Sequence, residues 1–301
     1  MTWLSARIVR MSRTLAPALA LLFAPTAQAQ AAQDADPALW VVRDEDTTIY
    51  LFGTIHVLKP GLSWFDEAVR DAFDKSGELV IEMIQPDAAT AQATLLPLAM
   101  NASGPTLTEK LPADKRPAIA KAAGDLRFPL AVLDRFDPWF AAITLTMAGL
   151  PRLGYDPESG AEQVLQAAAK AAGKPVRGLE TFEQQLGYLD GLPEPVQVRF
   201  LVSTLDEMPK MGAELDKMVT SWAKGDPDTL AVTMNEGMRE TPELGKVLLT
   251  DRNARWAKWI EQRLAQPGTV FIAVGAGHLA GRDSVQAQLA KHKLRAVRIA
   301  Y

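Results

Sequence analysis

Two stretches near opposite ends of the chain read alike. Ile49–Phe52 runs into Gly53-Thr54-Ile55-His56, and Val270–Val274 runs into Gly275-Ala276-Gly277-His278. Each is a short apolar run with the character of a buried strand, then a glycine, then a histidine three residues on. Ligands of open α/β sheets bind at the C-terminal edge of the strands. Glycine there permits a sharp turn and a close backbone approach, so that an imidazole can be aimed back over the edge. If the two strands are neighbours, both rings point into one crevice although more than two hundred residues separate them. The chain has only 3 histidines, and these motifs use two of them. The plain alternative is that each histidine caps its own turn.

The remaining pattern fits such a sheet. Leu39–Val42 and Thr47–Phe52 form a hairpin around the charged turn Arg43-Asp44-Glu45-Asp46, and Glu78–Met83 is a strand buried on both faces. Trp64 to Lys75 shows helical periodicity. Helices are expected over Ala88–Met100, Leu111–Ala123, Pro138–Leu150 and Glu158–Ala172, divided by glycine and proline. Lys174–Gly178 is a short strand leading to Glu180 and Thr181, either of which can start the next helix. Helices continue from Phe182 to about Gln266, and a helix over Asp283–Lys291 with a strand over Leu294–Ile299 closes the chain. The expected fold is α/β: a central mixed sheet with strands from both chain ends and a large helical insertion over about 87–266.

Glu82 lies near the C-terminal end of Leu79-Val80-Ile81-Glu82-Met83, where a buried charge is costly unless paired or metal-bound. With His56 and His278 it would complete a His/His/Glu set suited to divalent zinc, manganese, cobalt or iron. With no cysteine in the chain, any metal must be held by His, Asp, Glu or backbone oxygen. Alternatively, Glu82 reaches solvent or pairs with an arginine.

The first residues read as an address. Arg7, Arg10 and Arg13 precede the apolar run Leu15–Ala24 and then Ala27-Gln28-Ala29, the pattern of a secretory signal peptide over 1–29. The run is too short for a membrane anchor and Pro17 interrupts it. Residues 30–38 read as a disordered leader, and 39–301 as a single domain. Removing 1–29 leaves 29 Lys+Arg against 36 Asp+Glu, an acidic balance with no basic stripe, which argues against nucleic-acid binding. The expected location is the periplasm or the cell exterior, with no stable membrane insertion after cleavage.

The blocks LFGTIHVL, ELVIEM, GKPVRGLETFEQQ, DRNARWAKWI and VFIAVGAGHLAG, in that order, resemble the TraB/PrgY/GumN family, which includes the Tiki metalloproteases. The resemblance runs from about Leu39 to Tyr301 and is closest to the bacterial GumN branch. It implies a metal-dependent hydrolytic centre with metal ligands at His56, His278 and Glu82 and a divalent cation such as zinc, manganese or cobalt. Glu82 is then a ligand or the general base. Arg252 could hold an oxyanion or a substrate carboxylate and Asn253 could orient it; the alternative is that Arg252 pairs with Glu180 to pin the insertion on the sheet. Glu180 and Tyr155 fall in blocks that line a substrate site in this reading. The substrate would be a peptide or another small molecule. The rival readings are a haem or metal carrier using the same histidines, and a non-catalytic partner of envelope polysaccharide systems.

Other conspicuous residues carry less. His292 sits between Lys291 and Lys293, whose charges oppose cation binding. The tryptophans fall at helical spacings and are core by default. The stripe Met208, Met211 and Met218 reads as packing rather than an adaptable surface, and Asp156 as a helix cap.

Overall fold

The computed structural model describes residues 32–101, 103–238 and 240–301. The signal peptide expected over 1–29 lies outside the described residues. The strands are β1 (Gln33–Asp34), β2 (Leu39–Arg43), β3 (Thr47–Thr54), β4 (Leu62–Ser63), β5 (Glu78–Met83), β6 (Val176–Glu180), β7 (Gly268–Gly275) and β8 (Val297–Ile299). Six of them form one mixed sheet in the order β6-β5-β7-β3-β2-β8. β6, β5, β7 and β3 run parallel, whereas β2 is antiparallel to both β3 and β8. The α/β fold with strands from both chain ends is therefore observed.

The two motif strands are direct neighbours, with Gly53 beside Val274 and Thr54 beside Gly275. Because β5, β6, β7 and β3 are parallel, the ends bearing Glu82, Glu180, Gly275 and Thr54 share one edge.

Alternate residues of the central strands face opposite layers. Phe271 and Ala273 join Phe52, Leu79 and Ile81 on one face, while Val270, Ile272 and Val274 join Ile49, Leu51 and Val80 on the other. This two-sided burial explains why these strands read as continuous apolar runs. The first face is covered by helices α1 (Glu67–Lys75) and, beyond the helical segment, Ala161–Ala171; the second is covered by Asp251–Leu264 and Val285–Lys291.

Between β5 and β6 the chain forms α2 (Ala88–Ala99), α3 (Leu107–Lys110), α4 (Arg116–Leu126), α5 (Leu130–Leu133), α6 (Pro138–Gly149) and α7 (Ala161–Ala171). Between β6 and β7 it forms α8 (Phe182–Asp190), α9 (Glu194–Glu207), α10 (Met211–Ala223), α11 (Pro227–Gly237), α12 (Pro242–Gly245), a π-helical turn over Lys246–Thr250 and α13 (Asp251–Leu264); α14 (Val285–Lys291) follows β7. The insertion is thus interrupted by β6 and has its own core, in which Leu107, Ile119, Leu133, Leu145, Leu201 and Leu205 are buried together.

Three expectations shift. The leader is ordered over its described part: β1 pairs with β4, and Ala35 is buried in the core. The helix expected over Leu111–Ala123 begins later, as α4 over Arg116–Leu126, because Pro117 suits the first turn of a helix, and the separate short α3 ends at Lys110 just before Pro112, which cannot continue it. The final strand shortens to Val297–Ile299, which pairs with the N-terminal part of β2. Thr181 caps α8 as expected: it accepts from the Gln184 N–H while the Gln184 side chain accepts from the Thr181 N–H. Among the described residues no helix is long and apolar enough to cross a membrane.

Candidate functional site

At the shared strand edge, Glu82 is the hub. Its Oε1 accepts from the Gly275 N–H at 2.7 Å and lies 3.6 Å from His278 Nε2. Its Oε2 accepts from Arg252 Nη2 at 2.5 Å and from Gln185 Nε2 at 3.3 Å. Gly275 makes this approach possible. A Cβ there would lie 3.1 Å from Glu82 Oε1 and 3.3 Å from His56 Nε2, so both atoms face one bare Cα. Neither motif glycine has a positive φ. Their role is space, not a left-handed turn: a Cβ on Gly53 would come within 3.0 Å of the Ala276 backbone.

His278 sits in the short 3₁₀ turn after β7 and is 4% exposed. Its Nδ1 lies 2.6 Å from Asn253 Oδ1, and Asn253 Nδ2 donates to the Asp283 carbonyl at 2.8 Å. That fixes the amide, so Nδ1 of the ring donates and Nε2 presents its lone pair. Arg252 Nη1 is 3.1 Å from that nitrogen, and the Trp256 ring packs against the imidazole at 4.3 Å between centroids. Burial, with the Arg252 and His56 charges, pushes the His278 pKa down to about 3, leaving a neutral ring.

His56 lies just beyond β3 with 66% of its side chain open to solvent. Its Nδ1 contacts Glu162 Oε1 at 2.6 Å, and Glu162 also accepts from the Thr54 hydroxyl. Glu162 is a residue the sequence reading missed. It enters from the first turn of α7, whose approach depends on Gly160 standing against the His56 carbonyl without a Cβ and on the Ala161 N–H donating to the Ile55 carbonyl at 3.0 Å. Loss of part of its hydration disfavours charge on His56, but the Glu162 bond and charge, with Glu82 behind them, outweigh it and raise the pKa to about 9; solvent over the open ring screens part of that attraction. On Glu82 burial opposes the charge, yet His278, Arg252, His56 and the Gly275 N–H together hold the pKa at about 2.

Arg252 and Asn253 are adjacent in the first turn of α13, directly after the π-helical turn, and both are buried. Arg252 bridges two carboxylates: Nη2 also lies 2.7 Å from Glu180 Oε2, and Nε donates to both Glu180 oxygens at 3.1 and 2.9 Å. Glu180 accepts further from Trp256 Nε1 and Tyr188 Oη, each at 3.1 Å. The pairing weighed from sequence is therefore present, and Arg252 reaches the centre as well. Tyr155 is buried, with its hydroxyl donating to Asp216 at 2.7 Å and Lys59 over its ring rather than any of these site groups among its partners. Trp222 from α10 donates to the Gly53 carbonyl at 2.7 Å and fixes the end of β3. A cavity of about 350 Å³ adjoins the His278 turn, lined among others by Met234, Leu249, Thr250, Asn253 and Gly277.

A model of the TraB/PrgY/gumN family matches residues 38–298, nearly the whole described chain. The chain belongs to the TraB/PrgY/gumN family. Two similar proteins are an uncharacterized protein of Treponema pallidum (strain Nichols), 24% identical over 280 residues that cover 85% of this chain and 80% of the relative, and the uncharacterized protein YbaP of Escherichia coli (strain K12), 24% identical over 253 residues that cover 84% and 92%. No solved structure matches.

The donor types suit a divalent cation once His56 gives up its proton, since its raised pKa leaves the ring charged near neutrality and a ligating imidazole is neutral. Each imidazole has its Nδ1 engaged by an acceptor, Glu162 or Asn253, which is how metal-binding histidines are oriented. The 3.6 Å between His278 Nε2 and Glu82 Oε1 is close to the roughly 3.4 Å expected of two ligands sharing one tetrahedral zinc. Among the described residues, no three His, Asp or Glu side chains stand as a ready-made metal cage. The Arg252 guanidinium lies against two of the donors instead.

Proposed function

We propose that the chain is a metal-dependent hydrolase, with peptide bonds the first substrate class to test, and that the N-terminal segment exports it. The observation that supports this is the pair of Nδ1-anchored imidazoles whose Nε2 atoms both face the Glu82 end of β5. His56, His278 and Glu82 would hold a divalent cation, which when bound supplies Lewis acidity toward a scissile carbonyl. Glu162 and Asn253 orient the rings. Glu82, if it is not a ligand, would be the carboxylate that takes a proton from an attacking water. Arg252, held by Glu180, stands where negative charge on a substrate oxygen would be stabilised.

The test is metal stoichiometry and hydrolysis of a peptide library by protein purified without chelator, for wild type, His56→Ala, His278→Ala and Glu82→Gln, with circular dichroism as folding control. Both histidine variants should lose metal and turnover. Glu82→Gln should keep metal and stop turnover if Glu82 is the base, and lose metal too if it is a ligand. Unchanged metal content in both histidine variants would end the reading.

A second reading has an observation of its own. The short bonds of Arg252 to Glu82 and Glu180 are those of an ion-pair centre that locks the insertion onto the sheet without catalysis. In that case the wild-type protein binds no cation and the same variants only lose stability.

A further inference from the structure

The position of Arg252 says more than that it pairs with carboxylates. The His278 Nε2 lone pair is aimed by the Asn253 bond at Nδ1, and it can accept an N–H or bind a cation but not both. Arg252 Nη1 covers it at 3.1 Å. Nη2 of the same guanidinium covers Glu82 Oε2 at 2.5 Å. A single positive group therefore covers His278 Nε2 and one oxygen of Glu82, while Oε1, the oxygen 3.6 Å from His278 Nε2, is held by the Gly275 N–H.

The guanidinium has partners besides Glu82 and His278. Its Nε is held by both Glu180 oxygens, and Glu180 is fixed in turn by Trp256 Nε1, Tyr188 Oη and Gln185 Nε2. The aromatic faces of Trp256 and Tyr188 lie 4.7 and 5.6 Å from its central carbon, so the guanidinium is already seated against two rings favourable to a cation. Nη1 keeps the Leu248 carbonyl at 3.2 Å in the π-helical turn. Letting go of Glu82 and His278 thus leaves Arg252 with a carboxylate, a carbonyl and two rings.

We infer that Arg252 is an internal competitor for the cation: it covers His278 Nε2 and one oxygen of Glu82, and a divalent metal binds by replacing those two contacts while the guanidinium keeps Glu180. This rests on the metal-dependent reading above. The displaced state separates the charges cleanly, with Arg252 on Glu180 and the cation on Glu82, so neither buried carboxylate is left unpaired. It also makes Arg252 a selector. A weakly held monovalent ion has less to offset the two broken contacts than a divalent ion binding the same donors.

The experiment is titration of full-length wild type, Arg252→Met and Arg252→Lys with Mn²⁺, read by calorimetry and by thermal melting with and without chelator. Arg252→Met removes the competing charge at similar length. It should bind Mn²⁺ at least tenfold tighter than wild type, melt lower in chelator, and recover more on adding Mn²⁺. Arg252→Lys keeps the charge but cannot reach Glu82 and His278 together, so it should fall between the two and serves if the methionine variant does not fold. Equal or weaker Mn²⁺ binding by the folded variants, with binding by wild type, overturns the inference and makes Arg252 a support for the ligands while the metal reading stands. No Mn²⁺ binding by wild type or by folded variants overturns both.

Discussion

His278 Nδ1 donates to Asn253 Oδ1 across 2.6 Å, and the amide is held in that orientation by the Asp283 carbonyl. One neutral side chain therefore decides which ring nitrogen of a buried histidine is free. Asn253→Ala leaves the ring N–H and the Asp283 carbonyl without that partner. It should cost about 1–3 kcal/mol in urea unfolding and weaken any divalent-metal binding by roughly 10–100-fold. Loss of stability with unchanged metal affinity would show that Asn253 supports only the fold.

Gly275→Ala places a methyl against Glu82 Oε1 and His56 Nε2. Those are side-chain atoms that can shift, so the domain should fold with a cost of about 1–3 kcal/mol. The larger effect should fall on metal binding and turnover, because both donors are pushed from the shared Cα. Wild-type affinity in this variant would mean that the two donors do not act together.

Trp222→Phe keeps the aromatic packing with Phe52 and Trp64 but removes the donor to the Gly53 carbonyl. A buried acceptor losing its partner should cost about 1–3 kcal/mol, with the urea m-value unchanged. The His56 turn should loosen with it, measurable as faster amide exchange at Ile55 and His56.

Asp216 couples pH to the segment that follows the His56 turn. Its bonds from Lys59 and Tyr155 hold the carboxyl below its ordinary value of 3.8. A depressed folded value means that the contribution is present above 3.8 and is lost as pH falls below it. Lys59 and Tyr155 flank the paired backbone of Leu58 and Asp156. Protection of the Asp156 amide, corrected for intrinsic exchange, should therefore fall on acidification in wild type. In Asp216→Asn it should start lower and lose that dependence. A parallel decline in both proteins would assign the effect to another group.

What could be read in the chain follows from where the determinants lie. His56, Glu82 and His278 declare themselves because each sits at the end of a strand buried on both faces, and such strands write their burial into a few consecutive residues. The pairing of β3 with β7 could be posed from the repeated motif. Glu162 could not be found in this way. Its place beside His56 depends on α7 docking through Gly160 and the Ala161–Ile55 backbone bond, contacts made across about a hundred residues. The engagement of Arg252 with Glu82 was hidden for the same reason, although its pairing with Glu180 was weighed. The leader misled because Gln33–Asp34 is polar, whereas its order comes from backbone pairing with Leu62–Ser63 and from the burial of Ala35 and Pro37.

The adjacency of β3 and β7 sets a timetable for the molecule. During synthesis His56 emerges early and waits for more than two hundred further residues before the strand that brings His278 can be laid beside it. The insertion has its own core and can condense meanwhile, but the central sheet lacks its middle strand until β7 arrives between β5 and β3. Closing so long a loop is an entropic and kinetic burden. Before that last step the chain has helices and a hairpin, and the edge that joins His56, Glu82 and His278 is assembled only when the whole domain has folded.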